Sequence, residues 1–112
     1  MEKQLERKQS FNELLIDVVD EVLSAIGNSV KCMLYVQIKN NLAISKEQIP
    51  DKIEVFMKVL QRIFGEDGAR HIELQIMKQI QSKTGVSCPF STEKGKFVAC
   101  IDFIRQEYEK NL

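Results

Sequence analysis

Residues 11–27, FNELLIDVVDEVLSAIG, decide the fold of this chain. Phe11, Leu14, Leu15, Val18, Val19, Val22, Leu23 and Ile26 recur at spacings of three and four, so at about 100° per residue they cover one half of a helix circumference. Glu13, Asp17, Asp20, Glu21 and Ser24 fill the opposite arc, a pattern that a strand of period two does not produce. An apolar face this wide needs more than one neighbouring helix to cover it. Gly27 stands where a C-terminal cap belongs, because glycine takes the left-handed conformation there at little cost. Asn28 or Ser29 then supplies a cap for the next helix.

Outward from this helix the same period continues. Val30 to about Asn41 holds Met33-Leu34-Tyr35-Val36 and Ile38, a run that also suits a buried strand. The cap before it and Asn40-Asn41 after it favour a helix. Ser45 and Gln48 have the spacing of a capping box, and Pro50 ends that turn or opens the following helix. That helix runs from about Asp51 to Phe64 on Ile53, Phe56, Val59, Leu60, Ile63 and Phe64. Gly65-Glu66-Asp67-Gly68 reads as a tight connection, and Ala69, Ile72, Ile76, Met77 and Ile80 mark a helix that stops before Gly85. Val86 to Ser91 reads as a loop, and Ser91 or Thr92 caps a last helix carrying Phe97, Cys100, Ile101, Ile104 and Tyr108. The expected architecture is all-α, a compact bundle of about five helices in a single domain over residues 1–112. Met1–Ser10 is either mobile or an extension of the first helix, and residues 86–112 form a C-terminal loop and helix.

Composition agrees with that architecture. Of 112 residues 44% are apolar and 29% charged, the ordinary globular range. Five glycines and two prolines are few for an all-β chain. No run approaches the roughly 20 apolar residues of a membrane helix, and no basic leader precedes an apolar stretch, so a cytoplasmic location without membrane association is expected. Three widely spaced cysteines, an odd number, fit a reducing compartment rather than a disulfide framework.

The string Val22-Leu23-Ser24-Ala25-Ile26-Gly27-Asn28-Ser29-Val30-Lys31 leads through Ile44 and Ile49-Pro50 to Phe56, then through Ile63-Phe64-Gly65, Gly68-Ala69 and Ile72-Glu73 to Ile76. It resembles a family of small archaeal helical domains, one of the Nitrosopumilus output domains. The resemblance spans roughly residues 14–84, and its motifs are glycines, a proline and core apolar residues, which specify fold more than chemistry. It implies a stand-alone or appended output module in archaeal signalling, without an agreed enzymatic activity, and it transfers no catalytic residue.

No constellation of side chains announces a reaction. Cys32, Cys88, Cys100 and His71 would together make a Cys3His metal set, but structural zinc ligands come in close pairs and none of these is paired. Cys32 and Cys100 fall within apolar helical runs and read as core, whereas Cys88 lies in a loop where it would be exposed and oxidisable. His71, the one histidine, reads as a surface residue near Glu66 and Asp67. The Gly65–Gly68 loop does not suit a phosphate, because its two carboxylates would repel an anion and no Lys-Ser or Lys-Thr follows. Glu66 and Asp67 complement the dipole of the helix that follows instead. No catalytic, cofactor-binding or metal-binding residue is therefore expected, and the chain is not expected to be an enzyme.

Charge is distributed unevenly. Residues 1–26 carry six acids against three bases, a balance of −3, and residues 27–65 carry six bases against three acids, a balance of +3. Glu13, Asp17 and Glu21 repel one another along one face by a few tenths of a kcal/mol per pair. With Asp20 they form a candidate docking stripe for a basic partner, which would steer association more than add affinity. The expected function is that of a non-enzymatic interaction or signalling-output domain whose partner is another protein or a second copy in a homodimer. The alternative is a DNA-binding regulator with a helix-turn-helix within 29–64, contacting nucleic acid through Lys46, Lys52, Lys58 and Arg62. Sixteen acids balance sixteen bases and the isoelectric point is about 6.6, which weighs against that alternative because DNA affinity comes chiefly from phosphate neutralisation.

Overall fold

A computed structural model describes residues 9–110, and the chain folds as an all-α bundle with no strand among them. Helix α1 spans Phe11–Ile26, α2 Asn28–Leu42, a 3₁₀ segment Lys46–Lys52, α3 Ile53–Thr84 and α4 Phe97–Lys110. The radius of gyration is 14.2 Å, close to the roughly 13 Å of a compact chain of this length. None of the helices among the described residues is long and apolar enough to cross a membrane.

Helix α1 is the spine that α2, the 3₁₀ segment, α3 and α4 all touch. Its start is fixed by a capping box absent from the sequence reading. The Ser10 hydroxyl accepts the Glu13 N–H at 3.2 Å, and Glu13 Oε1 accepts the Ser10 N–H at 3.2 Å. Ser10 is extended (φ −66°, ψ 158°), so α1 does not continue through it. The rest of the expected N-terminal extension, residues 1–8, lies outside the described residues. Seven of the eight predicted apolar positions are buried, and Ile26, at the open end, is not.

Gly27 caps α1 through its N–H, 3.0 Å from the Leu23 carbonyl, but its backbone is near-extended (φ 159°, ψ 135°) rather than left-handed. Turning within this single residue leaves Asn28 and Ser29 already inside α2, so neither serves as its cap. Helix α2 is a helix and not a strand, and it buries only Leu34 and Ile38. The predicted Ser45–Gln48 pair opens a 3₁₀ turn, with Gln48 Oε1 accepting the Ser45 N–H at 2.9 Å. Pro50, buried beside Ile49, has no N–H for an α-helical bond, which suits the tighter winding.

The expected four-residue connection at 65–68 is a correction. The two halves of α3 meet at Gly65 alone (φ 78°, ψ 173°), and residues 66–68 are already helical. Gly68 serves packing: a Cβ there would lie 2.9 Å from Phe64 Cβ, so only glycine lets Phe64 sit against the new turn. A second correction concerns α4, which starts at Phe97 and not just after Thr92. Residues 89–95 form successive turns, and the Thr92 carbonyl accepts a 2.8 Å bond from Arg70 Nη2, which ties the loop down onto α3.

Phe11, Phe97, Leu15, Leu23, Leu34, Leu60, Ile76, Ile101 and Ile104 are among the large side chains most completely enclosed. Phe56 is buried, while Ile63, expected beside it, is only half-buried because it lies at the bend. At the other end of the core Arg105 binds elements together. Its guanidinium lies 5.1 Å from the Phe11 ring centroid and donates to the Pro50 carbonyl at 2.8 Å. Tyr108 Oη donates to the Gln9 carbonyl at 2.7 Å, holding the start of the described chain against α4.

Candidate functional site

Each of the four acids of the predicted stripe has a partner within the chain. Glu13 belongs to the capping box, Asp17 Oδ2 accepts from Gln9 Nε2 at 3.1 Å, and Glu21 pairs with Lys83 at 3.5 Å. Asp20 is the most engaged. Lys31 from α2 and Lys46 from the 3₁₀ segment each place Nζ 3.5 Å from its carboxylate, and Tyr35 Oη donates to it at 3.2 Å. Lys46 also lies 5.8 Å from the Tyr35 ring centroid. Partial burial works against ionisation of Asp20, but Lys46, Lys31 and Tyr35 together outweigh it and hold the carboxyl below its ordinary value. Burial, and then the neighbouring Asp20 charge, push the Tyr35 hydroxyl well above its ordinary range. Part of the opposition between the −3 and +3 stretches is thus an internal match that knits three elements.

The sign of the pH dependence follows. A depressed carboxyl contributes stability that is complete above its unfolded value of 3.8 and is lost as pH falls through the lower folded value. The cluster is partly exposed, so its worth is about 1 kcal/mol or less. Asp20→Asn is expected to reduce stability at neutral pH by that amount and to flatten the acid limb of the urea midpoint below pH 3.8. An unchanged acid limb would show that the three partners do not act on Asp20.

Of the four predicted nucleic-acid contacts, Lys46 is held by Asp20. Lys52 lies exposed at the end of the 3₁₀ segment, just before α3, and Lys58 and Arg62 are exposed one turn apart along α3. The cysteines depart from expectation in both directions. Cys32, expected in the core, is exposed because α2 turns that face outward. Cys88, expected to be exposed, is buried, its N–H donating to Gln81 Oε1 at 2.6 Å as the loop folds over the end of α3. Cys100 is buried as expected, and burial first, then the adjoining Cys88 thiol, push its thiol well above the ordinary range. His71 is exposed on α3. Among the described residues no group of three or more His, Cys, Asp or Glu side chains could hold a metal ion.

Two surface features were not anticipated from sequence. The first is the outer face of α2, where Met33 is 41% and Val36 55% exposed, with Ile26 at 45% just before the helix. Ser29, Cys32, Met33, Val36 and Asn40 share an arc of about 100°. The weak signal was that α2 is too evenly polar to bury a wide face. The second is a crevice of about 430 Å³ at the Gly65 bend, between Met57 and Gln61 of the first half of α3, Arg70 and Glu73 of the second, and Lys94 and Gly95 of the loop. Its signal was legible: Glu73 stands among Ala69, Ile72, Ile76 and Met77, an acid at a core position.

The chain matches no protein-family model, no curated protein and no solved structure.

Proposed function

We propose that the chain is a non-enzymatic interaction module that pairs with a second copy of itself through the outer face of α2, as part of a signalling output. The observation carrying this reading is the exposure of Met33 and Val36 on a helix that buries only Leu34 and Ile38. Charge selects the partner. Helix α2 contains no acid, and Ser29, Cys32 and Asn40 surround the apolar pair with neutral groups. In a two-fold contact the residues at the axis meet their own copies, so a charge there would meet a like charge; this face has none nearer than Lys39 at its margin. The stripe is small against the roughly 800 Å² per partner of a standard stable interface, so the dimer is weak and depends on concentration. The resemblance to archaeal output domains supports the signalling role.

Light scattering from micromolar to millimolar concentration tests the pairing. The expected result is a rising mass with wild type and a constant monomer mass for Val36→Asp, whose far-ultraviolet circular dichroism stays the same. Mild oxidation should also join two copies through Cys32, and Cys32→Ser should prevent it. Monomeric wild-type protein throughout that range would overturn the reading. Lys58 and Arg62, exposed and without an ion pair among the described residues, favour DNA as the second reading. Salt-sensitive co-elution with a random duplex, lost in Lys58→Ala/Arg62→Ala, would promote it.

A further inference from the structure

Glu73 is the one polar or charged residue counted in the core among the described residues, at 7% exposure. Its Oε2 is buried without a hydrogen-bond partner. Leaving such an acceptor unsatisfied is costly, and replacing it with an apolar side chain would remove the cost, so its presence at this position calls for a use. The residue lines the crevice at the Gly65 bend, whose volume of about 430 Å³ lies within the roughly 300–1,000 Å³ range of small-molecule sites.

The charges around it define the ligand. Glu66, Asp67 and Glu73 bring three carboxylates to the crevice, and Arg70 and Lys94 bring two cations. Arg70 is partly occupied, since one of its N–H groups is donated to the Thr92 carbonyl. The first half of α3 contributes Met57 and Gln61, which are uncharged. One negative charge is in excess, so an anion is disfavoured. An inorganic cation is disfavoured as well, because the carboxylates do not converge into a metal-holding group. What remains is a donor-bearing organic cation whose N–H groups satisfy the Glu73 carboxylate once its side chain turns the enclosed Oε2 toward the crevice.

We propose that this crevice binds a small organic cation, a primary ammonium or guanidinium compound, with its charged head against the Glu73 carboxylate. Glu66 and Asp67, exposed at the mouth, draw the cation in, and Gln61 offers an amide for a second polar group. Burial pushes the Glu73 carboxyl up against the pull of Arg70, and an incoming cation opposes that push, so binding releases a proton whenever the acid begins protonated. The inference does not depend on self-association: the crevice is built from α3 and the 86–96 loop, with no residue of α2.

Titration calorimetry of the full chain with agmatine, with arginine and with acetate tests the site. Agmatine and arginine share a guanidinium and differ in the carboxylate. The expected result is saturable binding of agmatine, no binding of acetate, and at least about tenfold weaker agmatine binding to Glu73→Gln, which keeps the shape and removes the charge. Arginine binding more tightly than agmatine, with that preference lost in Lys94→Ala, would place its carboxylate on Lys94 and identify a zwitterionic ligand. Equal binding would identify a plain amine or guanidine; both outcomes sustain the cation site. Should Glu73→Gln fail to fold, Lys94→Glu on the exposed loop takes its place and is expected to tighten agmatine binding. The proposal is overturned if agmatine does not saturate the protein at millimolar concentration, or if its affinity is the same in the substituted chains.

Discussion

Phe11→Ala costs the fold about 3–5 kcal/mol, the range for truncating a buried aromatic side chain. Phe11 is fully enclosed at the first residue of α1, where the capping box, α4 and the 3₁₀ segment come together. The Tyr108 ring lies 6.4 Å away, and the Arg105 guanidinium lies over the Phe11 face. Removing the ring leaves a void and strips the cation of its aromatic neighbour. Against the roughly 5–15 kcal/mol total of an average domain, that loss lowers a urea midpoint by about 40% at mid-range stability, with little change in slope. Ile63→Ala, half-buried at the bend, serves as the contrast and should cost no more than about half as much. Equal losses at the two positions would mean that α4 does not dock on the start of α1.

Gly65→Ala is expected to cost about 1–3 kcal/mol by a different route. A Cβ at this position meets nothing within 4 Å, so there is no clash to relieve. The penalty lies in the backbone, because φ 78° with ψ 173° is a region that side chains with a Cβ scarcely enter. Alanine also favours the helical alternative by about 1 kcal/mol. Straightened, the 32 residues of α3 would form a rod of about 48 Å, longer than the 41 Å maximum extent of the whole bundle. The two halves of α3 could not then pack against α1 within one chain. The substituted chain either bears the strain as a weaker monomer or opens and exchanges halves with a second copy. A raised melting temperature with an unchanged monomer mass would show that the bend is not required.

The parts of this fold legible in sequence were those set by neighbours in the chain. The period of α1 gave its buried face residue by residue, and Gly65 and Gly85 gave the ends of helical segments. The sharpness of the Gly65 bend was not legible, because a glycine flanked by acids suits a loop as readily as a one-residue turn. Contacts between distant segments account for the other misses. Cys88 is buried by a loop folding over Gln81, Lys46 reaches back to Asp20, and Thr92 is bound by Arg70 instead of opening a helix. The acidic stripe was visible as a pattern, but its partners lie on other elements and were not. The Glu73 crevice was legible only as an anomaly, a charge where the period asks for an apolar group.

The three cysteines give the molecule an internal clock. Cys32 meets an alkylating reagent at once, while Cys88 and Cys100 wait until the flap formed by residues 86–96 lifts away. Because Cys88 and Cys100 are both enclosed, the lag between the first and later mass increments, set against the rate of the same thiols in the unfolded chain, reports the population in which that flap is open. The same flap carries Lys94 and Gly95 over the crevice. Timed labelling therefore measures, in the unmodified chain, how often the crevice loses its outer wall.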